Sequence, residues 1–396
     1  MNTVGFLTSH TAGESQEPPQ GAEARTWSAL TRLLQVVCDL DGSDLHIKGG
    51  SAHAVRVDGQ LHTLDDEPPI SAEDLLALTA AIMSPTISAI FWDNHEVDFA
   101  YTAMGIGRFR INAFYQHGSV ALAIRRLPPS IPSMEELGLP DVVRRLADEQ
   151  RGLILVTGPT GSGKTTTLAA MINHINQTRA CHIVTVEDPI EYLHSDGKAR
   201  VDQREVGFDT ATFTSAMRVV LRQDPDVILV GEMRDPETVL AALTAAETGH
   251  LVLSTLHTTT APESINRIVD FFPPHQHQQV RTSLASALTG MIGQRLVPRA
   301  AGSGRVPALE VMVPNGRIKQ AIADPLMTSE IITLIAEGEF DGMQTFDQAL
   351  GQLVVRGEID LRQAMNAASN PHDLKVMLER MGVIPTGRTL APTFAP

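Results

Sequence analysis

Gly158-Pro159-Thr160-Gly161-Ser162-Gly163-Lys164-Thr165 fills the pattern G-x-x-x-x-G-K-[ST], and it lies between the apolar run LILVT and the helix-patterned KTTTLAAMINHIN. This octapeptide constrains the fold because it works only as the turn from a buried strand into a helix. Its glycines let successive backbone N–H groups turn inward, and the helix N-terminus adds the positive end of its dipole. The pattern predicts a phosphate-binding loop in which Gly158, Thr160, Gly161, Ser162, Gly163, Lys164, Thr165 and Thr166 surround the nucleotide. Lys164 is placed to reach the β- and γ-phosphates and Thr165 to hold Mg2+, so ATP and Mg2+ are the expected cofactors. The chain has only five lysines in 396 residues, which makes an accidental match rare.

From Arg151 onward strand-like and helix-like runs alternate: LILVT, KTTTLAAMINHIN, CHIVTVE, TFTSAMRVVLRQ, DVILVG, ETVLAALTAAE and HLVLSTL. That alternation predicts an α/β fold, a parallel sheet with helices on both faces, and it puts the phosphate loop at the C-terminal edge of the strands. Residues that follow the other strands therefore become its partners. IVTVE ends on Glu187 and DVILVG leads into Glu232, so two carboxylates are expected to face the loop from neighbouring strand ends. Glu232 is assigned to the attacking water and Glu187 to positioning of metal or water. Gly231 stands where such strands usually end in aspartate. His250 and His257 bracket LVLSTL, and the rise of a strand separates them by about 20 Å, too far for a metal pair. His257 is expected near the γ-phosphate, and His250 in a structural or interface contact.

Upstream, residues 1–26 mix Gly, Ser, Pro, Gln and Glu without apolar periodicity and read as a disordered leader. Residues 27–127 read as a small α/β domain with one helix (LTRLLQVVCDL) and an antiparallel sheet built from LHIK, HAVRVDG, EVDFAYTA, GRFRINAFYQ and SVALAIRRL. Arg108 and Arg110 alternate along one strand, and Arg125 follows in the next, so they share a face. That face either closes over bound nucleotide or is a surface stripe paired with acidic residues. A linker is expected over 128–150, where Ser133 to Glu136 carries a capping-box signature for a connecting helix. The ATPase core is read over 151–314, a helical subdomain over 315–383 and a flexible tail over 384–396. The last hundred residues are expected to be mainly helical, with breaks at Pro298, Gly302 to Gly304, Pro314, Pro325 and Gly342.

A formal net charge of −15 argues against nucleic acid as a partner. No stretch approaches the length of a membrane span, which points to a cytoplasmic protein. Cys38 and Cys181 are the only cysteines, both in apolar segments where buried thiols are expected, and there is no C-x-x-C pair to bind zinc.

In order and spacing, GPTGSGKTTTLAAMI, VEDPIEYLH, DQREVGFDT, LRQDPDVILVGEMRDPET and AAETGHLVLSTLHTTTA resemble the Walker A, Asp-box, Walker B and His-box segments of type IV pilus retraction ATPases, in the secretion ATPase superfamily. The resemblance continues through GSDLH, VRVDG and GRFRINAF upstream and MQTFDQAL downstream, covering roughly 28–380. It implies a homohexameric ring with a PAS-like N-terminal domain and a RecA-like C-terminal domain. It also implies an inner-membrane pilus platform protein as partner, a paralogous motor ATPase as a further one, and a place at the inner face of the cytoplasmic membrane. Carried over, it assigns phosphate binding to Gly161 through Thr165, catalysis to Glu232, and sensing or coupling to Glu187, His250 and His257. Arg108, Arg110 and Arg125 match its N-domain arginines. Where that family often carries AIRNLI, this chain reads Arg317-Ile318-Lys319-Gln320-Ala321-Ile322. Rival readings are a pilus assembly or type II secretion ATPase, an accessory nucleotide-binding subunit, and a RecA-like translocase on nucleic acid.

Overall fold

The computed structural model describes residues 22–384, apart from Asp58, Pro129 and Ser303, and they divide into two units. The first takes the described residues up to Ser130 together with Pro189–Tyr192. The second takes Ile131–Asp188 and the described residues from Leu193 on. The first helix, α1 (Ala22–Asp39), begins before Trp27, inside the expected leader. The rest of that leader and the tail from 385 lie outside the described residues.

In the first unit α1, α2 (Ala72–Ala81) and α3 (Pro85–Asn94) accompany an antiparallel sheet ordered β3-β2-β1-β6-β5-β4. Its strands are β1 (Asp44–Lys48), β2 (His53–Val57), β3 (Gln60–Leu64), β4 (Glu96–Ala103), β5 (Gly107–Gln116) and β6 (Ser119–Arg126). One face alone is buried, which is why these strands alternate: Phe109, Ile111 and Ala113 of β5 face the core, while Arg108, Arg110 and Asn112 do not. The core joins them to Leu30, Leu34, Leu45, Ile47 and Phe91. Strand β3 and helices α2 and α3 go beyond the sequence reading. Both helices start on serine caps, Ser71 accepting from the Asp74 N–H and Ser84 from that of Ile87.

The second unit is built on a seven-stranded sheet ordered β13-β12-β7-β11-β10-β8-β9. The strands are β7 (Gly152–Thr157), β8 (His182–Glu187), β9 (Arg200–Glu205), β10 (Val227–Val230), β11 (Leu251–Leu256), β12 (Leu288–Pro298) and β13 (Arg305–Met312). All neighbours are parallel except β12 and β13. Strands β7, β10 and β11 are buried at every position because helices cover both faces. On one face α4 (Asp141–Ala147) and α5 (Lys164–Thr178) pack with Ile154, Val156, Met171 and Ile175. On the other, α6 (Phe213–Val220), α7 (Pro236–Glu247), α8 (Ala261–Asp270) and α9 (His277–Ala287) pack with Leu155, Ile228, Val252, Ile265 and Leu284. Each such side chain contributes roughly 1.5–3 kcal/mol on full burial. Helices α10 (Gly316–Ala323) and α11 (Ile331–Ala336) extend the second face. Helices α12 (Phe346–Val355), α13 (Leu361–Ala367) and α14 (Pro371–Arg380) close a further core on Val297, Val306, Leu350, Leu374 and Leu378.

The structure departs from the sequence reading in four places here. The antiparallel hairpin β12–β13 reaches into the last hundred residues, which are therefore not mainly helical throughout. Pro307 and the buried Glu310 break up the strand pattern of β13. Strand β9, RVDQRE, carries almost no apolar signal because it is a charged edge strand. In the expected linker, Ser133 and Glu136 do form both capping-box bonds, at 2.7 and 3.1 Å, but they close a turn, and the helix starts only at Asp141. Residues 131–150 pack on the second unit, with Met134, Val143 and Leu146 in its core. Cys38 and Cys181 are free thiols, half-buried and not fully so.

Candidate nucleotide site

Strand β7 ends at Thr157, and the chain turns through Gly158–Gly163 into α5. Gly161 and Gly163 have φ of 77° and 89°, a left-handed backbone that glycine adopts without strain. Helix α5 begins on Gly163 with no side-chain cap, whereas α7, α8 and α12 are capped by Asp235, Thr260 and Thr345. Its first N–H groups and dipole end therefore suit an anion such as a phosphate. Thr165 and Thr166 sit half-buried in the first turn, and Thr160 is exposed at the crest of the loop.

The loop is braced by a residue the sequence reading does not single out. Gln294 of β12 is 3% exposed, accepts from Thr167 Oγ1 (2.7 Å) and donates to the Ser162 carbonyl (2.8 Å). The approach is close enough that a Cβ on Gly163 would lie 2.7 Å from Gln294 Nε2, and one on Gly158 would meet the Gln294 carbonyl. No local pattern announces Gln294, since it reaches the loop only through the pairing of β12 with β7.

The parallel sheet lines up the remaining groups. Reading across the C-terminal edge from β7, His257 follows β11, Glu232 follows β10, and Glu187 ends β8. Lys164 donates to the carbonyls of Gly158 (2.8 Å) and Pro159 (3.1 Å), and its Nζ lies 3.5 Å from His257 Nδ1. The other ring nitrogen, His257 Nε2, is 3.1 Å from Glu232 Oε1. An ammonium can only donate and a carboxylate can only accept, so these partners assign the imidazole hydrogen to Nε2. Glu232 Oε2 takes the guanidinium of Arg234 at 2.7 Å, and that bond pushes the Arg234 pKa further up. Arg234 is thus a direct neighbour of the carboxylate.

Glu187 is 7% exposed. Thr185 Oγ1 (2.7 Å) and Gln203 Nε2 (3.1 Å) both donate to its Oε1. Gly231 has a spatial reason to lack a side chain: its Cβ would lie 3.3 Å from the Val186 carbonyl and 3.4 Å from Glu187 Cα, where β8 and β10 draw together. A buried carboxylate unforeseen in the sequence, Glu310 of β13, accepts from the Ala261 N–H (2.9 Å) at the first turn of α8 and so props the loop that carries His257. Burial pushes its pKa up to about 7, against the pull of that hydrogen bond and of Arg295 on β12, with Asp347 on α12 raising it further.

The raised pKa of Glu310 ties stability to pH. With the folded pKa above the unfolded one, stability is full below pH 4.5 and declines as pH rises through about 7. Glu310→Gln keeps the acceptor for Ala261 and removes the ionisation. Thermal melts are expected to show the variant gaining on the parent between pH 5 and pH 8, by on the order of 3 kcal/mol at most. A constant difference across that range would contradict the assignment.

His250 is not part of the cluster. It precedes β11 at the opposite end of the strand, where its Nδ1 lies 2.9 Å from the Ala245 carbonyl at the end of α7. The arginines belong to the first unit. Arg110 and Arg125 face each other across β5 and β6 and share a face, but each is ion-paired there, Arg110 with Asp98 (3.2 Å) and Arg125 with Asp44 (2.8 Å). Arg108 donates to Thr102 Oγ1 (3.3 Å) and to the carbonyl of Ile190 (3.4 Å), a residue of the same unit. No group of three or more His, Cys, Asp or Glu side chains among the described residues forms a metal cage, and no described helix is long and apolar enough to cross a membrane.

A family profile described as "Type II/IV secretion system protein" matches residues 23–356. The type IV pilus retraction ATPase PilT of Pseudomonas aeruginosa is 44% identical over 87% of this chain and 99% of its own. The type IV pilus ATPase PilU of the same organism is 41% identical over 88% of this chain and 91% of its own. A crystal structure of the pilus retraction motor PilT with bound ADP superposes with a TM-score of 0.82 at 48% identity, covering 88% of this chain and 99% of that one.

Proposed function

The chain belongs to the type II/IV secretion system protein family, and we propose that it is an ATP-hydrolysing motor that powers type IV pilus retraction. The observation that carries this reading is the meeting of Lys164, His257 and Glu232 on one sheet edge, in a chain matched almost end to end by a retraction ATPase. In this reading the phosphates lie against Gly158–Thr166, and Mg2+ is held by Thr165. Glu232 takes the proton of the attacking water, and Glu187 positions metal or water. His257 joins the phosphate side of the site to Glu232 through its two ring nitrogens. His250 acts away from the chemistry, and Arg108, Arg110 and Arg125 serve the movement of the first unit.

The motor works as a homohexamer on the cytoplasmic side of the inner membrane, against a membrane platform protein of the pilus base. A paralogous motor ATPase beside it is in keeping with the likeness to both PilT and PilU. Time-lapse imaging of labelled pili in cells lacking this protein tests the direction of work. Filaments that persist without shortening are the expected result. Cells without filaments would mean an assembly motor and overturn the reading.

A further inference from the structure

Glu187 is held by groups that come from outside its own loop. Strand β9 runs parallel to β8 in a register that sets Gln203 beside Thr185 and Glu205 beside Glu187. Thr185, which is fully buried, and Gln203 thus present their donors from the strand of Glu187 and from its neighbour to the same oxygen, Oε1. The amide of Gln203 cannot turn over without loss. Its Nε2 faces a carboxylate, which only accepts, and its Oε1 takes the His194 N–H at 2.8 Å, which only donates. Glu187 and His194 stand at the two ends of the segment 188–193, so one side chain clasps both ends of that segment at its base. The His194 imidazole is half-buried, and burial pushes its pKa down to about 4.

We infer that Gln203 is a positioning residue for hydrolysis, setting the carboxylate of Glu187 by a donor to Oε1 so that Oε2 is aimed at the metal or the water. The inference rests on the role proposed above for Glu187. A group that orients a ligating carboxylate without touching substrate acts on turnover and on metal dependence, while nucleotide affinity, set by the phosphate loop, stays in place.

The experiment compares Gln203→Ala and Gln203→Glu with the parent in the purified full-length chain. Steady-state phosphate release is measured against ATP and against Mg2+, alongside binding of a fluorescent ADP analogue and thermal melts. Gln203→Glu retains an acceptor for the His194 N–H and sets a second carboxylate against Glu187 where the donor was, so it keeps the His194 end of the segment held while removing the orienting bond. The expected result is a kcat lower by ~10–100-fold in both variants, with half-saturating Mg2+ shifted upward and KM for ATP and ADP affinity within about twofold. Turnover and Mg2+ dependence like the parent's in Gln203→Glu would overturn the inference, as would a loss confined to nucleotide affinity or to the melting temperature. Glu187→Gln is run in parallel. If that variant turns over normally, the role of Glu187 itself fails; if it is impaired while both Gln203 variants are not, only the link through Gln203 fails.

Discussion

Glu232→Gln is expected to bind nucleotide as the parent does and to turn it over ~10²–10⁴-fold more slowly, the range that a positioned general base contributes. The substitution preserves the shape of the side chain but leaves one acceptor where the carboxylate has two: with the amide oxygen kept on Arg234 at 2.7 Å, the amide nitrogen faces His257 Nε2, whose N–H loses its acceptor at 3.1 Å. It also removes the capacity to accept a proton. Phosphate release under saturating ATP, set beside equilibrium titration with a fluorescent nucleotide, separates the two effects. Normal turnover would remove Glu232 from the chemistry, and lost binding would mean that its role is to build the site. Arg234→Ala, which removes the guanidinium held 2.7 Å from this carboxylate, offers a companion readout in kcat.

Lys164→Ala is expected to cost more at an earlier step. The ammonium is the loop's only lysine, 8% exposed and held by the carbonyls of Gly158 and Pro159. A hydrogen bond to a charged partner is worth roughly 1.5–3 kcal/mol, so its loss predicts about 10–100-fold weaker nucleotide binding. Turnover falls further, by at least ~10³-fold, because the same charge is needed where charge develops on the transferring phosphoryl group. Titration with labelled ATP and ADP checks the first figure and phosphate release the second. An unchanged affinity for ATP would separate Lys164 from the phosphates. Circular dichroism and a melt guard against misfolding, since the carbonyls of Gly158 and Pro159 lose their donor.

Much of this site was legible before any coordinates, and the reason is geometric. A parallel sheet places every strand's C-terminal end on one edge, so runs such as LILVT, IVTVE, DVILVG and LVLSTL are enough to bring Lys164, Glu187, Glu232 and His257 together and to send His250 to the other end. The groups that hold these residues were not legible. Gln294 acts through the pairing of β12 with the distant β7, Gln203 through the pairing of β9 with β8, and Glu310 through a bond to the start of α8, and two of the strands involved have sequences with little strand character, RVDQRE at a charged edge and RVPALEV with its proline. Alternation alone puts Arg110 and Arg125 on the face turned away from the core. Their pairing with Asp44 and Asp98 depends on which strands are neighbours, which alternation does not specify.

The brace on the phosphate loop bears on how the domain comes into being. Ser162 and Gln294 are 132 positions apart, so a ribosome completes the whole octapeptide well before it makes the strand that walls it. At 5–20 residues per second that interval is roughly 7–26 s. For that time the nascent chain carries an intact motif with no β12 beside it, and Ser162 and Thr167 lack the amide that holds them. The bracing of the loop by Gln294 is thus acquired late in biosynthesis, when the sheet has closed.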